Sequence, residues 1–429
     1  MKKRNKKLLI IGLDGVPFEM IKKLIEEGTM QNLKEIFKTG KCVRMSATIP
    51  EISSVSWSSF MTGTDSGNHG IFGFVDLYKG TYDIKFPNFK DLKCPTFFDY
   101  IGKKKKNSVV INLPSTYPAR KIQGVLISGF ISVDLKNAVY PEKYLKFLED
   151  QGYKVDINAA KGKDRKKEFI SDLQYTLKVR KNVSDFLWKN ENWDLFMFTI
   201  TGTDRLHHFL YDAYEDQNHK FHNDFKNYYE EIDSIIGDFY NKIKVKEEFE
   251  IVMLSDHGFG LIKKEIYINQ ILRKYGFFNT ETYEPESLAE ITEDSSAFAL
   301  DPSRIYIHLK NKYPKAKLDK KDYKKVREDI RKLFEEYEIE GKKIIKKVYF
   351  KEEIYSNRFL DSAPDILLLS NHGFDLKGGL KKKEEWGKSH FTGMHIYDNA
   401  FFFTTKPEYL PEKMTIFDVK NIILKSMNL

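Results

Sequence analysis

Short apolar runs that end in polar, glycine-bearing turns recur along the chain, and they constrain its fold more than any other feature. The runs occupy residues 7–15, 108–115, 124–130, 195–204, 250–260 and 365–370. Such runs are typical of parallel strands that are buried on both faces. Amphipathic stretches of helical period lie between them, at 18–27, 168–189 and 223–246. The alternation predicts an α/β fold, with a doubly wound, mostly parallel sheet flanked by helices.

Residues 261–345 break this rhythm and contain a strong helical pattern at 320–340. We therefore predict an inserted cap at 261–345 and a catalytic core built from 1–260 and 346–429. We expect the cap to cover the substrate pocket and to set specificity. Four aromatic residues of the cap either pack its interior or stack on a base, and packing is favoured: Tyr267, Tyr275, Phe277 and Phe278.

Charge and cysteine content narrow the class of protein. The 71 basic and 62 acidic residues give a net charge of +9, but the lysine runs are flanked by acids. Because no arginine-rich patch with interleaved aromatics occurs, we expect a small anionic substrate and no nucleic acid partner. The two cysteines, Cys42 and Cys94, cannot form a disulfide framework and fit a reducing cytoplasm. No stretch approaches the roughly 20 apolar residues of a membrane-spanning helix, so we expect a soluble cytoplasmic protein of open oligomeric state.

Acid and imidazole side chains, which bind divalent metals, gather at the predicted strand ends. The six candidates are Asp14, Asp204, His208, Asp256, His257 and His395. Asp204 and His208 have the i, i+4 spacing that places two side chains on one helix face. Because the carboxyl ends of parallel strands meet at one edge of a sheet, we predict that the candidates lie together.

The number of candidates favours two metal ions. Two sets are predicted: Asp14, Asp256 and His257 in one, and Asp204, His208 and His395 in the other. Three protein ligands leave an open coordination position, as catalytic metals require. Two such ions about 4 Å apart stabilise both the attacking and the leaving oxygen in phosphoryl transfer.

The segment "ATIPEISSVSWSSFMTG", residues 47–63, supplies candidate nucleophiles. A serine hydroxyl that contacts a metal loses its proton near neutral pH and becomes nucleophilic. Residues 55–61 read as a helix with apolar side chains inward. Ser53 and Ser54 lie at its N-terminus, where backbone N–H groups and the helix dipole favour a phosphate oxyanion. These residues alone leave both serines open, with a simple helix cap at Ser53 as the alternative.

Five sequence blocks follow one another in order. They are "LDG" (13–15), the serine segment leading through Thr-Gly to "NHGIFGF" (68–74), "TDRLHH" (203–208), "SDHGFG" (255–260) and "GMHIYDNAFF" (393–402). This series resembles the type I phosphodiesterase/nucleotide pyrophosphatase branch of the alkaline phosphatase superfamily. The resemblance covers most of the chain and is poorest at 261–345. It implies an alkaline phosphatase-like core and a phosphohydrolase with two metal ions, usually zinc.

The resemblance also implies roles for particular residues. It maps metal ligation onto the same six side chains in the same two sets. It places a Thr or Ser nucleophile nine residues before the threonine of the Thr-Gly pair, and counting back from Thr62 gives Ser53. His390 competes with His395 as the last ligand, and we prefer His395 because it immediately precedes "YDNAFF", where the family places its ligand.

One departure from the family concerns substrate recognition. Nucleotide pyrophosphatases carry an asparagine near the block at 68–74 that contacts the phosphate, and this sequence has none there. Nucleotide specificity is therefore not implied. Asn112 and the lysines at 103–106 are further candidates for contacting the substrate.

The leading hypothesis is a metal-dependent phosphodiesterase or pyrophosphatase. Ser53 would attack phosphorus between two divalent ions, zinc or manganese, and form a phosphoseryl intermediate. One alternative is a transferase that passes a phosphoryl or phospho-alcohol group to a second hydroxyl. A second alternative is a non-catalytic relative that binds an anionic partner.

Overall fold

A computed structural model describes residues 6–244 and 249–429. The chain forms two compact units. The first takes its described residues from Met1–Thr64, Asn88–Gly260 and His390–Leu429, and the second comprises Asp65–Pro87 and Leu261–Ser389.

A nine-stranded sheet forms the centre of the first unit. Its strands are β1 (Lys7–Leu13), β2 (Lys41–Ser46), β3 (Ser108–Leu113), β4 (Gly124–Ser128), β5 (Val139–Tyr140), β6 (Leu195–Ile200), β7 (Phe249–Leu254), β8 (Ala400–Thr404) and β9 (Met414–Thr415). Their order across the sheet is β9-β2-β8-β7-β1-β6-β3-β4-β5. The five neighbours from β7 to β4 are parallel, whereas β8 and β5 are antiparallel to the strands beside them.

Both faces of the sheet are buried, which explains the continuous apolar runs in the sequence. In β1, Leu9 and Ile11 point into one hydrophobic cluster, and Leu8 and Ile10 point into the other. Helices supply the opposite side of each cluster, so that the sheet is the middle of three layers. The predicted α/β class with a mostly parallel sheet is confirmed.

Ten α-helices lie in the described residues of the first unit. They are α1 (Phe18–Glu26), α2 (Gln31–Phe37), α3 (Ser53–Thr62), α4 (Phe97–Lys103), α5 (Leu145–Asp150), α6 (Lys161–Asp164), α7 (Lys166–Asn190), α8 (Gly202–Glu215), α9 (His222–Ile243) and α10 (Val419–Ser426). α1, α7 and α9 correspond to the three amphipathic stretches of the sequence, although positions 245 and 246 of the last stretch fall outside the described residues. None of the described helices combines the length and apolar character that crossing a bilayer requires.

The second unit is built on a four-stranded antiparallel sheet. Its order is Ala297–Leu300, Arg304–Ile307, Ile366–Ser370 and Ile345–Phe350. Three smaller groups of strands accompany it: Phe374–Lys377 with Lys264–Tyr267 and Trp386–Gly387; Asp76–Leu77 with Ile84–Lys85; and Glu338–Ile339 with Lys342–Lys343. The helices are Ser66–His69, Ile268–Lys274, Tyr323–Glu336 and Lys351–Ile354.

The run at 365–370 was expected in the parallel sheet, and this prediction is wrong. Ile366–Ser370 pairs antiparallel with Arg304–Ile307 and Ile345–Phe350 in the second unit. An apolar run of this length indicates a buried strand but carries no information on strand direction or on which sheet it joins.

The segment predicted as a cap, 261–345, falls inside the second unit, which also includes 65–87 and 346–389. Two long-range contacts explain the larger extent: strand pairing recruits residues beyond 345, and the Arg304 guanidinium donates to the backbone oxygen of Val75 at 2.9 Å. Tyr267 and Phe278 are buried in this unit, as packing residues are, whereas Tyr275 is 49% exposed. That this segment covers the substrate pocket stays a prediction.

Candidate metal centre

Neighbouring strands bring the predicted acids to one edge of the large sheet. Asp14 directly follows β1, and Asp256 lies two residues beyond β7. Asp204 lies in the first turn of α8, which begins two residues after β6. Because β7, β1 and β6 are adjacent and parallel, their carboxyl ends place the three carboxylates side by side.

The Ser53 hydroxyl lies on one side of this cluster. Its Oγ is 3.1 Å from Nε2 of His257 and 3.4 Å from Oδ1 of Asp14. The same His257 nitrogen is 3.7 Å from Asp14 Oδ1 and 3.4 Å from Asp256 Oδ2. All four residues are at least 95% buried. One hydroxyl, two carboxylates and one imidazole therefore meet around a single point.

Three further atoms of metal-ligand type meet on the other side of the cluster. Oδ1 of Asp204 is 3.2 Å from Nε2 of His395 and 3.4 Å from Nε2 of His208. The two imidazole nitrogens are 3.1 Å apart. His257 lies between the two sides, since its Nε2 is also 4.0 Å from Asp204 Oδ1. The geometry therefore forms two adjoining groups of metal-ligand type, and His257 is within reach of both.

His395 reaches the cluster from a short strand. Gly393–Ile396 pairs with Gly258–Leu261, and this pairing stacks the His395 ring on that of His257 with centroids 3.7 Å apart. The alternative ligand, His390, stacks on the Phe209 ring at 5.7 Å.

Backbone carbonyls set the tautomer of the three histidines. Nδ1 of His257 lies 3.0 Å from the oxygen of Gly258, and Nδ1 of His395 lies 2.7 Å from that of Glu51. Nδ1 of His208 is 3.2 Å from a third carbonyl. Because a carbonyl oxygen only accepts, each Nδ1 carries the hydrogen, and each neutral ring turns the Nε2 lone pair toward the cluster. This arrangement is typical of histidines that bind metal.

Burial and charge shift the pKa values of the side chains in the cluster. Burial, together with the nearby Asp256 carboxylate, raises the pKa of Asp14 well above its usual value. Burial raises the pKa of Asp256 to about 6, and its Oδ2 receives no hydrogen bond from the described residues. Burial lowers the pKa of His257 well below its usual range, which keeps this ring neutral. Neutral imidazoles and crowded carboxylates are the donor set that divalent metals bind.

The Asp204 side responds differently. Burial alone would raise the pKa of Asp204, but His208, His395 and Arg205 lower it well below the usual value. Burial opposes the charge of His395, yet its hydrogen bond to Asp204 raises the pKa of that ring. Three acceptor atoms that face one another at 3.1–3.4 Å require a cation among them.

Gly15 explains the glycine of the "LDG" block. Its φ of +65° lies in the left-handed region, and a Cβ there would be 2.9 Å from the Phe259 ring and 3.0 Å from Cε1 of His257. Its backbone N–H donates to Asp256 Oδ1 at 3.1 Å. A side chain at this position would therefore displace a ring of the cluster.

Sequence reasoning missed three residues that hold the cluster in place. Trp57 Nε1 donates to Oδ2 of Asp14 at 3.3 Å, and the Thr203 hydroxyl donates to the Asp14 backbone oxygen at 2.6 Å. Arg205 donates to Asp204. All three residues lie inside blocks that the sequence had singled out, and position within these blocks was the available signal.

The residues that the sequence offered as additional substrate contacts, Asn112 and the lysines at 103–106, lie outside the cluster. The lysines at 103–106 precede β3, and Lys106 lies 3.9 Å from Asp194, just before β6. They therefore lie at the amino edge of the sheet, opposite the cluster, a position that gives no support to the expected substrate contact. Asn112 is fully buried and donates to Thr199 and Thr201.

The first unit is a three-layer α/β fold that carries acids and histidines at the carboxyl edge of its sheet. The sequence profile of one family, type I phosphodiesterase/nucleotide pyrophosphatase, matches residues 8–398. The chain belongs to this family of phosphoester hydrolases. Curated protein sequences gave no match.

Solved structures share the fold at low sequence identity. Phosphonoacetate hydrolase from Sinorhizobium meliloti 1021, solved with phosphonoacetate, has a TM-score of 0.67 at 16% identity, over 99% of this chain and 96% of that one. An inactive variant of murine ectonucleotide pyrophosphatase/phosphodiesterase 5, solved with AMP, has a TM-score of 0.58 at 13% identity. The human form has a TM-score of 0.59 at 13% identity, and both matches cover 99% of this chain and 95% of the other.

Proposed function

We propose that this chain is a metal-dependent phosphodiesterase in which Ser53 is the nucleophile and two divalent ions, zinc or manganese, occupy the cluster. One observation carries the proposal: the Ser53 hydroxyl, three carboxylates and three Nε2 atoms converge within about one coordination sphere of each other. The first ion would take Asp14, Asp256, His257 and Ser53 as ligands. The second would take Asp204, His208 and His395.

The ions would supply positive charge that lowers the pKa of the Ser53 hydroxyl and stabilises the phosphoryl oxygens. Ser53 Oγ then attacks phosphorus, and the bond from phosphorus to the leaving oxygen breaks. The leaving oxygen departs as an alcohol, with the proton that the serine hydroxyl gives up returned to it through water. The intermediate is a phosphodiester between Ser53 and the remaining alcohol group, and water hydrolyses its bond from phosphorus to serine, which restores the hydroxyl and releases a phosphate monoester. The side chains need little proton transfer of their own because the reaction is driven by positioning and electrostatic stabilisation.

The placement of α3 supports Ser53 as the nucleophile. Ser53 is the first residue of this ten-residue helix, and its N-cap, Ile52, has no side-chain cap. The first N–H groups of a helix have no intrahelical acceptor, and the helix dipole favours an anion there. Ser54 is adjacent, but its buried Oγ has no hydrogen-bond partner among the described residues. These contacts support Ser53 over Ser54, in agreement with the nine-residue spacing to Thr62.

The proposed substrate is a small phosphoester anion, acted on in the cytoplasm. Both cysteines are free thiols, which suits a reducing compartment. Related folds hold phosphonoacetate and AMP, so carboxylated phosphonates and nucleotides are reasonable first candidates.

A substrate screen tests the proposal. Bis-p-nitrophenyl phosphate, p-nitrophenyl phosphate and a phosphonate ester would be compared under zinc, manganese and magnesium. We expect the diester to be cleaved fastest, with zinc or manganese required. Added alcohol acceptors would reveal transfer in place of hydrolysis. Failure to cleave any of the three esters with any ion would refute the proposal.

Two histidine variants test the choice of ligand. His395→Ala should lower kcat/KM by at least about 100-fold, since even partners one step removed from a metal contribute 10- to 100-fold. His390→Ala, at a ring that stacks on Phe209, should change it by less than about threefold. Steady-state kinetics on the best substrate checks both values. A larger loss from His390→Ala than from His395→Ala would reverse the assignment.

A further inference from the structure

Arg205 stands beside the cluster without a place in the reaction described above. It follows Asp204 in the first turn of α8, and its NH1 donates to Oδ2 of Asp204 at 3.3 Å. Its side chain is only 15% exposed. A buried guanidinium next to a metal-binding carboxylate requires an explanation, because it repels the cations that the carboxylate attracts.

A second carboxylate holds the other side of this guanidinium. Nε and NH2 of Arg205 donate to Asp156 Oδ2 at 3.2 and 2.7 Å, and the Phe130 ring covers the guanidinium, with its centroid 4.2 Å from Cζ. Such a two-pronged pair fixes orientation as well as charge. The Asp156 charge also opposes the repulsion that Arg205 would exert on nearby cations.

The two oxygens of Asp204 therefore face different partners. Oδ1 faces the Nε2 atoms of His395 and His208 at 3.2 and 3.4 Å, while Oδ2 accepts from Arg205. A hydrogen bond to one oxygen of a carboxylate restrains its rotation and orients the other oxygen toward a ligand.

We propose that Arg205, fixed by Asp156 and Phe130, is a positioning residue that holds Asp204 so that only Oδ1 binds the ion shared with His208 and His395. The inference rests on the proposed function, since it assumes that two ions bind. It implies that Arg205 and Asp156 affect the binding of the ion held by Asp204, His208 and His395, and not the binding of the other ion.

Metal titration distinguishes this role from a general electrostatic effect. Lysine keeps the positive charge of Arg205 but cannot bond to Asp156 and Asp204 at once with a rigid planar group. Arg205→Lys should therefore behave like Arg205→Met, and both should bind one of the two ions roughly 10- to 100-fold more weakly. Asp156→Asn should weaken the binding of the same ion, because this variant releases the Arg205 guanidinium and leaves its positive charge uncompensated.

The experiment is calorimetric titration of metal-free, full-length protein with zinc. Arg165→Met is the matched control, since Arg165 is 52% exposed and pairs with the exposed acids Asp164 and Glu168. We expect two ions in the wild type and in the control, and selective loss of affinity for one ion in the three test variants. Thermal unfolding of each metal-free variant verifies that it is folded.

Three outcomes would overturn the inference. If Arg205→Met binds two ions with unchanged affinity, the positioning role of Arg205 is overturned while the proposed function stands. If Arg205→Lys binds both ions as the wild type does, Arg205 contributes only its positive charge. The same titration is repeated with manganese for the wild type, and a wild-type protein that binds neither ion would overturn the proposed function as well, so that the two failures are distinguishable.

Discussion

Ser53→Ala is expected to lower kcat by roughly 10³-fold or more, because the variant lacks the oxygen that forms the bond to phosphorus. Ion uptake should stay close to that of the wild type, since Asp14, Asp256 and His257 still surround the same site. Single-turnover kinetics with a chromogenic diester measures the loss, and elemental analysis of the same sample measures the bound metal. Rapid acid quenching of the wild type should also trap phosphate on Ser53.

Ser54→Ala is the matched control for this variant. Its hydroxyl is equally buried and one residue away, but it has no hydrogen-bond partner among the described residues. We expect a change of less than about tenfold in kcat. If Ser53→Ala has wild-type activity and Ser54→Ala is inactive, the nucleophile is Ser54. If both variants are fully active, neither serine at the start of α3 is the nucleophile.

Removal of divalent ions is expected to have the second large effect, on stability as well as on activity. Asp14, Asp204 and Asp256 are at least 94% buried, and without cations their charges repel one another in a medium of low dielectric constant. An ion present at 1,000 times its dissociation constant adds about 4 kcal/mol to the free energy of unfolding. Chelation should therefore abolish turnover and lower the midpoint of thermal unfolding.

The matched treatment uses the same chelator already saturated with zinc, which should leave both quantities unchanged. Adding zinc or manganese back to the stripped protein should restore both together. Full activity in a sample whose metal content has fallen below one-tenth of an ion per chain would contradict a metal-dependent reaction.

The core of the fold could be predicted because its strands carry a strong local signal. β1, β3, β6 and β7 are buried on both faces, so each appears in the sequence as a continuous apolar run. The run at 366–370 gives the same signal but belongs to an antiparallel sheet. Strand direction depends on partners far along the chain, and no local pattern records it.

The extent of the second unit was missed for a similar reason. Its contact between Arg304 and Val75 joins positions 229 residues apart. Neither residue carries a sequence pattern that marks the partner, so residues 65–87 looked like part of the core.

Sheet topology predicted which side chains of the candidate site lie together, but it did not predict their arrangement within the cluster. The side chains after β1, β6 and β7 were expected together because adjacent parallel strands end at one edge. The position of His257 between the two groups and the clamp on Arg205 by Asp156, 49 positions earlier, depend on loop paths. The residues of the serine segment alone could not separate Ser53 from Ser54, and only the family spacing to Thr62 favoured Ser53, because the direction in which each side chain leaves α3 is not recorded in the sequence.

X-ray diffraction from crystals grown with zinc, recorded at energies on either side of the zinc absorption edge, tests the central claim most directly. Two anomalous peaks are expected, one among Ser53, Asp14, Asp256 and His257, and one among Asp204, His208 and His395. A map with no peak at this edge of the sheet, or with zinc bound only elsewhere on the chain, would contradict the account.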